Sequence, residues 1–398
     1  MSSRGAWLQY VISGFWLLGL CSVTAPRAWV SLTMPSATES VVGSGMPVEW
    51  EWKDAAQTSM FFEADPEWRS RGGGRLTDQN AARTVAPALI SVAGKWLHDA
   101  WVAGVFVAWL SWCVCMWAVV ALVRQGFGFR SEVSGWASVW AALLLVGTST
   151  GYLCFVGDVD VHVVGYAACA SGIFMLLKYL EVADVPARNG RWPALVGLGI
   201  FLAEGALQLG APLLALWALL LGRQVALADR SRRQSLLADV PRVLIVCGLC
   251  VACWSIIARV GSDGSFDVHN EAFARAREAT ADPIALVSTV PFKVAGIFRQ
   301  VLDLFQWWLV VAAILGWVLA TWEVRYWTGC WFALVIGATV LTQYKPSTVF
   351  LVFPVIYILA ATAAGRLADV LFTAVPVGTF GSHRAAVVAG VSALAVSL

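Results

Sequence analysis

Charge is scarce in this 398-residue chain. Asp, Glu, Lys and Arg together make up 13% of it, against about 25% in an average soluble domain. Histidine is scarcer still. His98, His162, His269 and His383 are the four present, too dispersed in sequence to read as a metal-ligand set. The net charge of +2 says nothing about nucleic acid, and no Lys/Arg-rich block has the aromatic interleaving that would suggest such a partner. Soluble-enzyme motifs are missing as well. No H-E-x-x-H occurs, and "RSRGGGR" (69–75) lacks the Gly-Lys-Ser/Thr of a phosphate loop. The nine cysteines all fall inside apolar runs, which excludes a visible extramembrane disulfide framework. "CGLCVAC" (247–253) has metal-like spacing but wholly apolar surroundings, so it reads as small packing residues at a helix interface.

What is present is apolar length. Hydrophobic residues make up 59% of the chain and the mean hydropathy is +0.73. Apolar runs long enough to cross a bilayer recur throughout, predicting an all-α polytopic membrane protein of about 10–11 transmembrane helices. The spans read at about 7–25, 102–123, 135–156, 161–180, 193–222, 242–259, 303–321, 327–343, 348–365 and 385–398. The run from Trp7 to Ala25 is long for a signal peptide and is followed by Pro26, so it reads as a retained first helix. The whole chain, 1–398, is expected to form one multi-span domain with two long loops, 26–101 and 260–302.

Lys and Arg in the short loops set the orientation. Arg124, Arg130, Lys178, Arg188, Arg191, Arg223, Arg230, Arg232, Arg233, Arg242, Arg325 and Arg366 fall in such loops or beside them. Placing them in the cytoplasm puts both long loops outside and the N-terminus inside, in a plasma (inner) membrane. The segment 193–222 then has basic loops on both sides, so one crossing would expose five arginines. As a single helix it would be about 45 Å long. A pair of shortened helices bending near Gln208, Leu209, Gly210 and Pro212 resolves the conflict. Irregular backbone at membrane depth must then line protein or a wet cavity.

The first loop reads as short extended pieces followed by an amphipathic surface helix in "QNAARTVAPALISVAGKWLHDAW". "IALVSTVPFKVAGIFRQ" in the second loop is another candidate surface helix. Of the 22 tryptophans, Trp50, Trp52, Trp68, Trp96, Trp307, Trp308, Trp322 and Trp327 fall near expected interfaces and read mostly as an aromatic belt.

Four polar groups remain as candidates for chemistry. In "EWEWKD", alternation puts Glu49 and Glu51 on one side of an extended strand and Trp50 and Trp52 on the other, with Asp54 following. One of these carboxylates could be a general base on an acceptor hydroxyl, or the piece could be a solvated amphipathic strand. "GDVDVH" places Asp158, Asp160 and His162 in a short turn on the outer face, where they could bind a divalent cation, activate a hydroxyl or cap the next helix. In "QYKPSTVFLVFP", Tyr344 and Lys345 lie between two apolar spans. A lysine there can grip a phosphate or snorkel at the interface. Glu204 in "FLAEGALQLGAP" is costly unless it faces protein or water.

The order of these features resembles the GT-C membrane glycosyltransferases that use polyprenyl-phosphate sugars, of the dolichyl-phosphate-mannose-mannosyltransferase-like kind. The resemblance rests on a first span followed by a long acidic external loop with a surface helix, and on the acidic turn opening "GDVDVHVVGYAACASGIFMLLKYLE". It rests also on the Gly-rich hairpin "RWPALVGLGIFLAEGALQLGAPLLALWALLL" and the late segment "YKPSTVFLVFPVIYILAATAAGRL", and covers about residues 1–370. It implies an inverting transfer at the outer membrane face. A first-loop carboxylate (Glu51, Asp54 or Glu49) would deprotonate the acceptor hydroxyl. Lys345 with Arg259 would stabilise the lipid phosphate. Asp158, Asp160 or His162 would position the acceptor or a divalent ion, and Glu204 and Tyr344 complete the candidate substrate-binding set. The implied partners are a polyprenyl-phosphate sugar, a lipid, glycan or protein acceptor, and membrane lipids. Two other classes fit the spans. A polymerase or ligase of lipid-linked saccharides would use Arg275, Arg277 and Arg299, whereas a non-enzymatic transporter or assembly subunit would not gather the outer acids on one cavity.

Overall fold

A computed structural model describes residues 85–97, 100–126, 132–148, 161–182, 191–207, 210–261, 283–305, 307–341 and 353–374. Among them the regular structure is entirely helical. In chain order the helices are α1 (Val85–Leu97), α2 (Ala100–Gly126), α3 (Glu132–Thr148), α4 (Val161–Val182), α5 (Arg191–Leu207) and α6 (Gly210–Leu227). Next come α7 (Arg230–Gly261), α8 (Pro283–Phe305), α9 (Trp307–Leu319), α10 (Trp322–Leu341) and α11 (Phe353–Ala374). Four of the apolar stretches, Val102–Arg124, Val163–Glu181, Gly210–Leu227 and Arg230–Cys253, are long and apolar enough to cross a membrane. The protein is an integral membrane protein of polytopic all-α architecture.

The expected hairpin is present. Residues 193–222 are divided between α5, of 17 residues, and α6, of 18. Each is about 25–27 Å long at 1.5 Å per residue, just short of a full crossing. The segments expected as surface helices are helical, as α1 and α8. Elsewhere the bounds move. The arginines at 230, 232, 233 and 242 do not form a loop before a span starting at 242. They occupy the first part of a continuous 32-residue α7, which runs through Pro241. Asp229 starts that helix, its Oδ1 accepting the N–H of Arg232 at 2.8 Å. The expected span 303–321 covers the end of α8, at Phe305, and the whole of α9, which starts at Trp307. The expected spans 7–25 and 385–398 lie outside the described residues.

The main core lies among α2, α3, α4, α10 and α11. Trp112, Met116, Tyr166, Ile173, Tyr179, Trp331 and Tyr357 are fully buried there. Glycine sets how closely the backbones approach, as expected where lipid supplies no hydrophobic drive between helices. At Gly316 of α9 a Cβ would run into the backbone carbonyl of Leu359 on α11. α5 uses three glycines on three neighbours. A Cβ at Gly197 would meet the Val243 carbonyl oxygen of α7 at 2.9 Å. One at Gly199 would meet the Cα of Gly172 on α4 at 3.2 Å, and one at Gly205 would meet Val85 of α1 at 2.7 Å. A side chain at Gly197 or Gly199 would press on backbone of α7 or α4, and one at Gly205 would displace the Val85 side chain.

Two expectations about side chains change. Trp96, Trp307 and Trp322 are exposed, as a belt requires, but Trp327 is 3% exposed and belongs to the core. In "CGLCVAC", Cys247 packs against the core, whereas Cys253 is exposed and Gly248 faces open space. The motif therefore straddles the edge of a helix interface and is not wholly inside it.

Candidate functional site at the hairpin end of the bundle

The side-chain contacts assign the helix ends to two sides. On one side Tyr179, near the end of α4, donates to Asp239 of α7 at 3.4 Å. Arg242 pairs with the same carboxylate at 3.1 Å. Arg223, near the end of α6, stands 3.9 Å from Glu323 and 5.0 Å over the ring of Tyr326, both at the start of α10. The C-terminal ends of α4 and α6 and the N-terminal ends of α5, α7 and α10 therefore share a basic side.

The opposite side collects the other ends of the same helices: the start of α4, the α5–α6 turn, the end of α7 and the end of α10. A small apolar cluster joins the start of α4 and the end of α5 there to α1 and α2. Ala86 and Ile90 of α1, Ala103, Val105 and Val107 at the start of α2, Val164 at the start of α4 and Ala206 at the end of α5 are buried against one another. The outer face of α1 leaves Leu89, Val92 and Trp96 exposed, a face suited to apolar surroundings.

Glu204 sits at this hairpin end, partly buried. Its Oε2 accepts the N–H of Gly210 at 2.8 Å, satisfying one of the orphan donors at the start of α6. A Cβ at Gly210 would lie 2.7 Å from that oxygen and 3.0 Å from the Ile200 carbonyl oxygen, so the turn needs glycine there. A carboxylate at the positive end of a helix is a stable arrangement, and this capping role explains why an acid is tolerated inside an apolar hairpin.

The remaining expected site residues adjoin these ends in sequence. His162 lies in the first turn of α4 and Arg259 in the last turn of α7, with their side chains outside the described residues. Asp158 and Asp160 precede α4, and Tyr344 and Lys345 follow α10. These four, with Glu49, Glu51 and Asp54 of the first loop and Arg275 and Arg277 of the second, lie outside the described residues. Arg299 is exposed on α8. Among the described residues no group of three His, Cys, Asp or Glu could hold a metal ion.

One cation here escaped notice in the sequence. Lys293 of α8 donates its Nζ to the carbonyl of Val340 at 2.9 Å, closing the last turn of α10 directly before the segment with Tyr344 and Lys345. Cations at helix C-termini satisfy the last carbonyls in this way. The available signal was a single lysine on the amphipathic segment that became α8.

No family model matches the sequence, and no curated protein matches it. Among solved structures the chain is similar to ArnT from Cupriavidus metallidurans, in a crystal structure bound to undecaprenyl phosphate. The match has a TM-score of 0.56 and 14% sequence identity, and covers 95% of this chain and 70% of ArnT. At that identity the likeness speaks for the architecture, and the architecture is the GT-C fold that the order of sequence features implied.

Proposed function

We infer that this protein is an integral-membrane glycosyltransferase that moves a sugar from a polyprenyl-phosphate donor to an acceptor hydroxyl at the hairpin side of the bundle. The observation that carries the reading is the gathering of helix ends. In a fold shared with a protein that binds undecaprenyl phosphate, the ends adjoining Asp158, Asp160, His162, Arg259, Tyr344 and Lys345 belong to three helices, α4, α7 and α10, and lie on the side away from the basic ends.

The chemistry assigned to those residues is concrete. A carboxylate from Glu49, Glu51 or Asp54 takes the proton of the acceptor hydroxyl as its oxygen bonds to the anomeric carbon. The bond from that carbon to the lipid phosphate oxygen breaks, and the electron pair leaves with the polyprenyl phosphate. Lys345 and Arg259 offset the charge developing on the phosphate. Asp158, Asp160 and His162 orient the acceptor or hold a divalent ion. Attack opposite the leaving phosphate inverts the anomeric centre. Glu204 and Lys293 hold the ends of α6 and α10 from which this arrangement hangs.

The test is sugar transfer by the purified protein in proteoliposomes supplied with undecaprenyl-phosphate-linked sugars and membrane lipid extract as acceptor. Glu51→Gln, Asp158→Asn and Asp160→Asn are expected to lose product by about 100-fold or more at the base position while accumulating normally. Wild-type product in all three would remove these residues from the mechanism.

A further inference from the structure

The basic side of the bundle carries a surface that glycosyl transfer does not use. α7 has 32 residues and is therefore about 48 Å long, whereas a hydrocarbon core is about 30 Å thick. Its charges up to Arg242 all lie in its first 13 residues, and Val243 to Ala258 carries none. The excess length, about 12 residues, thus belongs to the N-terminal part, which stands at headgroup level or beyond.

That part is packed, not frayed. Arg232 donates to Gln224 Oε1 at 3.0 Å and Arg233 Nε donates to the Val225 carbonyl at 3.2 Å, folding α7 back on the end of α6. Residues 223–242 hold five arginines against two aspartates. Asp229 is engaged as the helix cap, and Asp239 is buried beneath Tyr179 and Arg242. Arg230, Arg233 and Arg242 remain exposed. Exposed apolar residues share this region, with Leu227 71% and Leu237 49% exposed, and Leu244, Ile245, Leu249 and Ile256 continue the exposed apolar surface along α7.

We propose that the α6–α7 corner binds anionic phospholipids, with the guanidinium groups of Arg230, Arg233 and Arg242 on headgroup phosphates and the acyl chains along Leu237, Leu244, Ile245 and Leu249. Charge complementarity selects the headgroup. Continuity with the exposed apolar surface of the same helix selects a lipid over a soluble anion, because the occupant must be charged at one level and oily at the next.

The experiment is native mass spectrometry of the full chain taken from equal parts of phosphatidylglycerol and phosphatidylcholine. The wild type should retain phosphatidylglycerol preferentially. Arg230→Gln/Arg233→Gln should reduce that preference about five-fold per arginine, from the surface attraction of a single cation, and Arg230→Lys/Arg233→Lys should keep most of it. Lys178→Gln/Arg191→Gln removes equal charge from the α4–α5 corner of the same side and should change it less than about three-fold. The proposal is overturned if the double Gln variant keeps the wild-type preference, or if the α4–α5 pair loses as much. It is overturned equally if the same spectra show the double Gln variant changing oligomeric state with bound lipid unchanged, which would make the corner a contact between copies.

Discussion

On the basic side of the bundle, α6, α7 and α10 are tied by guanidinium groups. Arg223 reaches Glu323 and Tyr326, Arg232 and Arg233 reach back to α6, and Arg242 covers Asp239. Along α5 the close approaches are made through glycines instead, at Gly197 to the Val243 carbonyl of α7, at Gly199 to Gly172 of α4 and at Gly205 to the Val85 side chain of α1, and the polar side chains seen on the hairpin side close helix ends. Most contacts of the first kind sit among partly exposed charges and are weak per pair, since solvent screens them; the buried Asp239 is the exception. The second tolerates almost no added atom. A fold built so can vary its charged contacts while holding the packing of α5 fixed, which suits the proposed site beside the α5–α6 turn.

Substitutions should separate the two kinds of contact, and their effects can be ranked by reversible unfolding in mixed detergent micelles. Gly316→Val should have the largest effect, about 3 kcal/mol of destabilisation, because its Cβ meets the Leu359 backbone, which cannot swing aside. A tolerated valine there would show that α9 and α11 are not packed at this distance. Asp239→Ala is expected to cost about 2 kcal/mol, as it strips Tyr179 and Arg242 of a buried partner. Tyr179→Phe with Asp239→Ala should then cost little more than Asp239→Ala alone. Glu204→Ala should cost about 1 kcal/mol through loss of the α6 cap, and Glu204→Gln, which still offers an acceptor, distinctly less. Equal losses for Ala and Gln would mean that the charge of Glu204, not its hydrogen bond to Gly210, is what matters. Arg223→Gln should cost least, about 0.5 kcal/mol, and the loss should shrink further in high salt.

Much of the fold was legible because a bilayer leaves few options. The division of 193–222 followed from its length and from basic residues on both flanks, and α5 ends at Leu207 and α6 starts at Gly210, where the bend was expected. The surface helices were legible as apolar periodicity in otherwise polar loops. The start of α7 was misread because a run of arginines followed by a proline looks like a loop. Asp229 as a cap, and the reach of Arg232 and Arg233 back to α6, keep it helical. These are tertiary contacts that local sequence cannot show. Trp327 was misread for the same reason, since a tryptophan near a helix end can face lipid headgroups or the core, and only the neighbour decides. At the candidate site, the sequence marked Glu204 as an anomaly, but its task depends on the backbone of Gly210 six residues on. Lys293 went unmarked because its partner is a carbonyl 47 residues away.

The most direct test of transfer on the hairpin side is a cryo-electron microscopy structure of the full chain in nanodiscs with undecaprenyl phosphate added. The expected result is phosphate density on the side of the α5–α6 turn, bordered by the start of α4 and the ends of α7 and α10, with Lys345 and Arg259 against it. Phosphate density on the basic side, beside Arg223 and Arg242, would contradict the proposed reaction at its foundation.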